Sequence, residues 1–185
     1  MIQHRPKTQN AIIEAAFDVF GRDPSASLSD VAAAAGVGRA TLHRHFAGRD
    51  DLIVALAKQA TDELDAAVAK AVEGAESWTA SLKLSLAAII PLANRQWFLA
   101  QEPLEHHPDI AEAYAAQRAD LIEAIEEAAK EGAFAPDVPA GWIASAYDGL
   151  IYAAWEAVRA GELTATQAAD LAWRTLSSGL KGVKQ

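Results

Sequence analysis

The stretch "GVGRATLHRHF", residues 36–46, sets the pattern from which the fold can be predicted. A short helix with Ser27 as its N-cap should end before Gly36, and a second short helix should follow the glycine. Apolar residues would hold the second helix against the rest of the chain and leave one cationic face outside. Two short helices joined by a tight turn are typical of a helix-turn-helix. The residues predicted on the outer face are Arg39, Ala40, His43 and Arg44.

Charge is distributed unevenly along the 185 residues, whose formal net charge is −9. Residues 1–51 carry six Lys and Arg against six Asp and Glu, whereas residues 52–185 carry 10 against 19 and so supply the whole excess of −9. An acidic protein can still bind a polyanion through a locally positive face, because salt screens charges beyond about 8 to 10 Å. The two parts of the chain are therefore expected to meet different partners.

Several classes of protein are disfavoured by the sequence. The absence of cysteine excludes disulfides and thiolate metal sites. There is no nucleophile elbow, no Gly-rich phosphate loop and no metal triad, so we expect no enzyme, no catalytic residues, no metal and no organic cofactor. The N-terminus lacks the apolar stretch of a secretory signal and no run approaches the length needed to cross a bilayer. We expect a cytoplasmic protein that does not bind membranes.

Apolar residues recur at helical spacing nearly everywhere, and no stretch alternates as a strand would. The sequence therefore predicts an all-α protein. Gly21 should stop the first helix, Pro91 should end or kink the fifth, and "EGAES" at residues 73–77 is the candidate boundary between two parts. The first predicted helix follows Pro6 and Thr8 and stops at Gly21. The other predicted helices run from Ser27 to Ala35, from Arg39 to Phe46, from Asp50 to about Val72, from Trp78 to Ala93, from Ile110 to Gly132, from Trp142 to Val158 and from Thr164 to about Leu180.

The cationic face carries the chemistry of DNA recognition. Arg39 and Arg44 can each donate two parallel hydrogen bonds to guanine O6 and N7, and Ala40 can touch a thymine methyl. Neighbouring side chains can donate to phosphates, which position a protein on the duplex. A solvated helix face is the alternative interpretation of the same residues. The predicted DNA-binding set is Ser27, Ser29, Gly38, Arg39, Ala40, Thr41, His43, Arg44, His45 and Arg49.

Residues 9–56, "QNAIIEAAFDVFGRDPSASLSDVAAAAGVGRATLHRHFAGRDDLIVAL", resemble the DNA-binding domain of the TetR/AcrR family of transcriptional regulators. The resemblance implies an N-terminal three-helix helix-turn-helix domain, residues 1–52. It also implies a long fourth helix leading into a C-terminal helical ligand-binding and dimerisation domain, residues 53–185. Two positions depart from the family's usual pattern: His43 stands where tyrosine is common, and Arg49 stands where lysine is common.

The last two helices predict a homodimer. The helix at 142–158 and the helix at 164–180 each carry two apolar stripes, although one stripe suffices for a core. A surplus stripe suggests a two-fold interface with a second copy; burial inside a larger core is the alternative. A dimer would place two recognition helices about 34 to 36 Å apart on a near-palindromic operator. The predicted interface residues are Ile151, Trp155, Ala169, Trp173, Leu176 and Leu180.

Aromatic and polar residues between the predicted DNA and dimer interfaces could line a pocket for a small-molecule effector. Core packing is the alternative, because aromatics at helical spacing usually lie in the core. The adjacent His106 and His107 are interpreted as polar loop residues rather than metal ligands. The predicted effector-binding residues are Trp78, Trp97, Phe98, His107, Tyr114, Arg118 and Tyr147.

These patterns predict a ligand-responsive, sequence-specific DNA-binding regulator. The resemblance favours a repressor that a small molecule releases from DNA, with the fourth helix as the natural lever between the two parts. The alternative is a helical module that binds a protein partner and does not use DNA. Binding that weakens steeply with salt would favour DNA.

Overall fold

The computed structural model describes residues 7–93, 95, 99, 102 and 104–179. Within these residues all regular structure is helical and strands are absent, which confirms the all-α prediction. Two single turns of 3₁₀-helix, Ile90–Leu92 and Leu104–His106, supplement the α-helices. The α-helices, numbered in chain order, are α1 (Lys7–Arg22), α2 (Leu28–Ala34), α3 (Arg39–His45), α4 (Arg49–Ala71), α5 (Trp78–Ile89), α6 (Pro108–Lys130), α7 (Ala140–Arg159) and α8 (Ala165–Gly179).

The chain folds as two compact units. The first combines Met1–Thr61 with Asn94–Ala111, and the second combines Asp62–Ala93 with Glu112–Gln185. Helices α4 and α6 each begin in the first unit and continue into the second. The functional division after residue 52 stays a prediction, and the fourth helix runs through that position without a break.

The first unit is built on an apolar stripe of α1. Ile12, Ile13 and Phe20 are fully buried, and they share the core with Leu42 of α3 and Leu52 of α4. Helix α1 continues one residue past Gly21, the predicted stop, because the amide of residue 23 still donates to the carbonyl of residue 19 (2.9 Å). The first helix is therefore placed as the spacing predicts, with its end one residue later.

Local hydrogen bonds fix the path from α2 into α3. Ser27 is the N-cap of α2, as predicted, and it forms a capping box with Asp30: the Ser27 hydroxyl accepts from the Asp30 amide (3.3 Å), and the Asp30 carboxylate accepts from the Ser27 amide (2.8 Å). Gly36 has φ of 68°, and the following amide of Val37 donates to the Ala32 carbonyl (2.9 Å). A side chain is disfavoured at this backbone angle, so glycine is what allows the tight turn.

The second unit packs α5, α6, α7 and α8 around one core. Tyr147 of α7 is its largest fully buried side chain, and its hydroxyl donates to the Leu82 carbonyl of α5 (3.1 Å). Burial raises the pKa of Tyr147 far above its usual range. Pro91 lies in the 3₁₀ turn that follows α5, so the predicted helix to Ala93 ends as an α-helix at Ile89. The proline acts as the sequence predicts, since it lacks the amide that would continue the ladder.

Glu131, just after α6, caps the first turn of α5. Its carboxylate accepts from the amides of Trp78 and Thr79 (both 2.9 Å) and from the Thr79 hydroxyl (2.7 Å). The hydroxyl of Thr79 and these two amides hold the pKa of the Glu131 carboxyl below its usual range. The carboxylate therefore ties two elements that are 52 residues apart in sequence.

We expect Glu131→Gln to lower the melting temperature at neutral pH and to have less effect in acid. Because the folded-state pKa lies below the unfolded value, the charged form stabilises the fold above the unfolded pKa, and this stabilisation is lost as the pH falls through the folded pKa. Thermal unfolding of wild type and variant across that range checks the prediction. Glu126→Gln, an exposed change on α6, is the control. Equal melting temperatures at neutral pH would contradict the capping role.

Candidate nucleic-acid interface and effector site

Helix α3 presents the predicted cationic face to solvent. Leu42 is fully buried and Phe46 is nearly so, which fixes the helix to the first unit by its opposite side. The Phe46 amide donates to the Leu42 carbonyl (2.9 Å) and closes the helix, so α3 ends at His45 rather than running through Phe46. The exposed residues of α3 are Arg39, Ala40, His43 and Arg44.

The two arginines of α3 are available for an anion. No carboxylate within the described ranges pairs with Arg39 or Arg44. An unpaired guanidinium offers a planar fork that matches guanine O6 and N7 or a phosphate. The face can therefore approach a polyanion without first breaking an internal ion pair.

The remaining predicted DNA-binding residues surround this face unevenly. Ser29 and Gly38 are exposed, whereas Thr41 and His45 are half-buried at its flanks. The Ser27 hydroxyl is used in the cap of α2, where it donates to Asp30 (2.6 Å). Ser27 therefore has a structural role that the sequence-based set did not separate from contact with DNA.

Arg49, whose contact with phosphate stays a prediction, is hydrogen-bonded within the first unit. Its guanidinium donates to the carbonyls of Pro24 (2.7 Å) and Ala26 (3.1 Å), in the loop before α2, and to the Glu102 carboxylate (3.1 Å). The same group lies 4.2 Å from the ring centroid of Phe20. Arg49 therefore makes three hydrogen bonds and a cation–π contact within the unit, and 36% of its side chain remains exposed.

We expect Arg49→Gln to destabilise the protein by about 1 to 3 kcal/mol, because it removes charge-assisted hydrogen bonds and a cation–π contact. Denaturant unfolding measures the loss. The slope of log affinity for DNA against log salt should stay at the wild-type value, since no phosphate contact is removed. A shallower slope of log affinity against log salt, with unchanged stability, would instead indicate that Arg49 contacts a phosphate.

Two residues of the predicted effector set come together in the second unit. Arg118 of α6 donates to the Asp148 carboxylate of α7 (2.8 Å), to the Ser145 hydroxyl (3.0 Å) and to the Gly141 carbonyl (3.1 Å). Tyr114, one turn before Arg118, is half-buried on the same helix. The set therefore contributes a small polar cluster between α6 and α7.

The titrating groups of this cluster influence one another. Desolvation raises the pKa of Asp148 above its usual range, and Arg118 partly offsets that effect. Burial, and then the charge of Asp148, raises the pKa of Tyr152. Burial, and then the neighbouring Tyr152, raises the pKa of Tyr114. We call the group formed by Tyr114, Arg118, Ser145, Asp148 and Tyr152 the α6–α7 cluster.

The rest of the predicted effector set is not assembled at that cluster. Trp78 is exposed at the start of α5, and Tyr147 lies in the core, where its hydroxyl is already bonded. Tyr147 therefore has a structural role in the core, and its contact with an effector stays a prediction. In the first unit, His107 Nε2 lies 3.0 Å from a carboxylate oxygen of Asp50. Trp97 and Phe98 lie outside the described residues.

Sequence reasoning missed Asp148, Tyr152 and Ser145. They recur at positions i, i+3 and i+7 of α7, which places them on one stripe of a helix that is otherwise mostly apolar. A polar stripe on such a helix is a detectable signal. The two apolar stripes of the same helix obscure it in the sequence.

The structure places half of the predicted dimer-interface residues in the core of this chain. Ile151, Ala169 and Leu176 are buried there, and their part in an interface stays a prediction. Trp155 and Trp173 are half-buried and pack against the same core. Leu180 lies beyond the described residues. The physical reason is that α5 and α8 cover the stripe of α7 that contains Ile151, which leaves the other stripe outside.

That outer stripe of α7 is apolar and only partly exposed, because Ala146 and Leu150 are half-buried against the core. Trp142 is 65% exposed, and Leu171 on the neighbouring α8 is 41% exposed. Small residues lie between the bulky ones, which allows another helix to approach closely. The outer stripe consists of Trp142, Ala146, Gly149, Leu150 and Ala153.

No group of three or more His, Asp or Glu side chains in the described part of the chain could hold a metal ion. None of the helices described combines the length and the apolar character needed to span a bilayer.

Comparisons with known proteins agree with this arrangement. Residues 12–56 match the family model described as bacterial regulatory proteins, tetR family. Over 177 residues, the chain is 32% identical to the HTH-type transcriptional repressor LfrR of Mycolicibacterium smegmatis. The aligned region covers 95% of this chain and 92% of LfrR.

Solved structures share the fold. The crystal structure of LfrR in complex with proflavine superposes with a TM-score of 0.79 at 30% identity, covering 95% of this chain and 97% of that one. The ketosteroid transcriptional regulator KstR2 of Mycobacterium tuberculosis gives a TM-score of 0.78 at 20% identity, covering 99% and 98%. The second likeness concerns the fold alone.

Proposed function

This chain belongs to the TetR family of bacterial regulatory proteins, and on that premise we propose that it is a repressor that binds a near-palindromic operator as a homodimer and is released by a small molecule. As a member of this family the chain is a DNA-binding transcriptional regulator and not an enzyme. The observation that carries the proposal is the exposed, unpaired cationic face of α3. We propose that it acts in the cytoplasm.

Recognition would follow from the geometry of α3. Arg39 and Arg44 supply bidentate donors to bases, while His43 and Ser29 supply donors to phosphates. One recognition helix covers only a few base pairs, so a second copy is needed to raise both affinity and specificity. The outer stripe of α7, together with Leu171, supports a self-complementary interface for that copy.

Release would follow from linkage. A ligand that binds better to a conformation with misplaced recognition helices lowers DNA affinity by the ratio of its two affinities. Because α4 and α6 each belong to both compact units, they are the candidate carriers of this coupling. The complex of LfrR with proflavine makes proflavine the first candidate effector to try with this chain.

The test is selection of bound sequences from a random DNA pool, followed by titration of the selected duplex at several salt concentrations. The proposal expects a two-fold symmetric site and an affinity that falls steeply with salt. Failure to enrich any sequence, or an affinity that does not change with salt, would favour the protein-partner module. Addition of proflavine to the complex then tests release.

A further inference from the structure

The α6–α7 cluster has the features of a site for a positively charged group. Asp148 is half-exposed, and its partner Arg118 reaches it from the neighbouring helix through an ion pair of 2.8 Å. Burial, and then the charge of Asp148, raises the pKa of Tyr152, and burial, and then Tyr152, raises the pKa of Tyr114. Aromatic rings beside a carboxylate attract cations, since both present negative potential.

The surrounding charge favours a cation over an anion. Residues 52–185, which contain the cluster, carry 10 Lys and Arg against 19 Asp and Glu. An anionic ligand would meet the Asp148 carboxylate directly, and three of the Arg118 hydrogen bonds already go to protein oxygens. A neutral ligand would leave the Asp148 carboxylate without a new partner.

We propose that Asp148 binds the cationic group of a flat aromatic effector, and that Arg118 is the resident cation which this effector displaces. The inference rests on the proposed function and names the chemical class of its effector. The guanidinium of Arg118 and a protonated ring amine are both planar donors of parallel N–H bonds, so one can replace the other on a carboxylate. Tyr114 and Tyr152 would flank the incoming ring.

Displacement would also release a contact between helices. Besides its bond to Asp148, Arg118 donates hydrogen bonds to the Gly141 carbonyl and the Ser145 hydroxyl, both in the first two turns of α7. Loss of the Asp148 bond frees the guanidinium to leave all three partners. Helix α6 would then lose a polar link to the start of α7. The effector's cationic group would thus bind the Asp148 carboxylate, which also joins α6 to α7 through Arg118.

If an effector replaces Arg118 on Asp148, substitutions of these two residues should have opposite effects on the affinity for the effector. Proflavine, which is cationic at neutral pH, is titrated against the full-length protein by fluorescence. Asp148→Asn should weaken binding by about 10- to 100-fold, because a charge-assisted bond is lost. Arg118→Met should strengthen binding by about 10-fold, because the competitor is removed. Asp120→Asn, an exposed change of equal charge on α6, should leave binding unchanged.

Acridine, which has the same rings and no charge at neutral pH, is the second probe, and Asp148→Asn should not weaken its binding. Ser145→Ala removes one hydrogen bond of Arg118 without changing the charge, and it should strengthen proflavine binding slightly. It replaces Arg118→Met in the test if circular dichroism shows that Arg118→Met is unfolded. The proposal is overturned if wild type does not bind proflavine, if Asp148→Asn binds it as wild type does, or if Arg118→Met and Ser145→Ala both weaken it. The proflavine titration contains no DNA. A wild type that binds no operator would therefore contradict the proposed function without affecting the test of proflavine binding at Asp148.

Discussion

Ala153→Arg is expected to convert the dimer to a monomer and to weaken operator binding by about 100- to 10,000-fold, the usual advantage of linking two binding events. Ala153 is exposed on the outer stripe of α7, so an arginine fits the isolated chain. In a two-fold interface the new charge would appear twice and would be buried against an apolar surface. Burial of an unpaired charge is costly, and the interface should fail.

Sedimentation velocity at micromolar concentration measures the state of assembly, and anisotropy with a labelled operator measures affinity. Ala116→Arg is the matched control, since Ala116 is exposed on α6, away from the proposed interface. Its assembly and affinity should equal those of wild type. An Ala153→Arg variant that sediments as a dimer would place the interface on another surface.

Replacement of Arg39 or Arg44 by alanine is expected to weaken operator binding by about 10- to 100-fold for each residue, the range for loss of a bidentate contact to a base. Both side chains are exposed, and α3 is held by Leu42 and Phe46 on its other side, so stability should not change. The loss should be larger for the selected operator than for unrelated DNA, because base contacts carry the specificity.

Arg22→Ala is the control for net charge, since Arg22 is exposed at the end of α1 in the same unit. It should reduce affinity for operator and unrelated DNA only slightly and to the same extent. If Arg39→Ala and Arg44→Ala behaved like Arg22→Ala, α3 would contribute charge alone and the recognition helix would lie elsewhere.

The fold could be predicted from sequence where local rules decide it. The buried stripe of α1, the capping box at Ser27 and the tight turn at Gly36 follow from helical spacing, a side-chain cap and the freedom of glycine to adopt positive φ. Each of these depends on residues that are close in sequence. Helix boundaries accordingly differ from the predicted ones by only a few residues.

Tertiary contacts were harder to predict. Helix α7 is apolar on two sides, and only its packing against α5 and α8 decides that Ile151 lies inside and Ala153 outside. Arg49 resembles a phosphate contact in sequence, yet it is occupied by carbonyls and a carboxylate from residues 24–26 and 102. Asp148 gains its importance from Arg118, 30 residues away. Contacts over such separations leave little trace in local spacing.

The most direct test of the central claim is operator binding as a function of the spacing between half-sites. Two copies of α3 held by one interface can enter successive major grooves on one side of the duplex. Insertion of about half a helical turn, roughly five base pairs, should reduce affinity to the level of unrelated DNA, and insertion of a full turn should reduce it less. Equal affinity for all three spacings would contradict paired recognition helices.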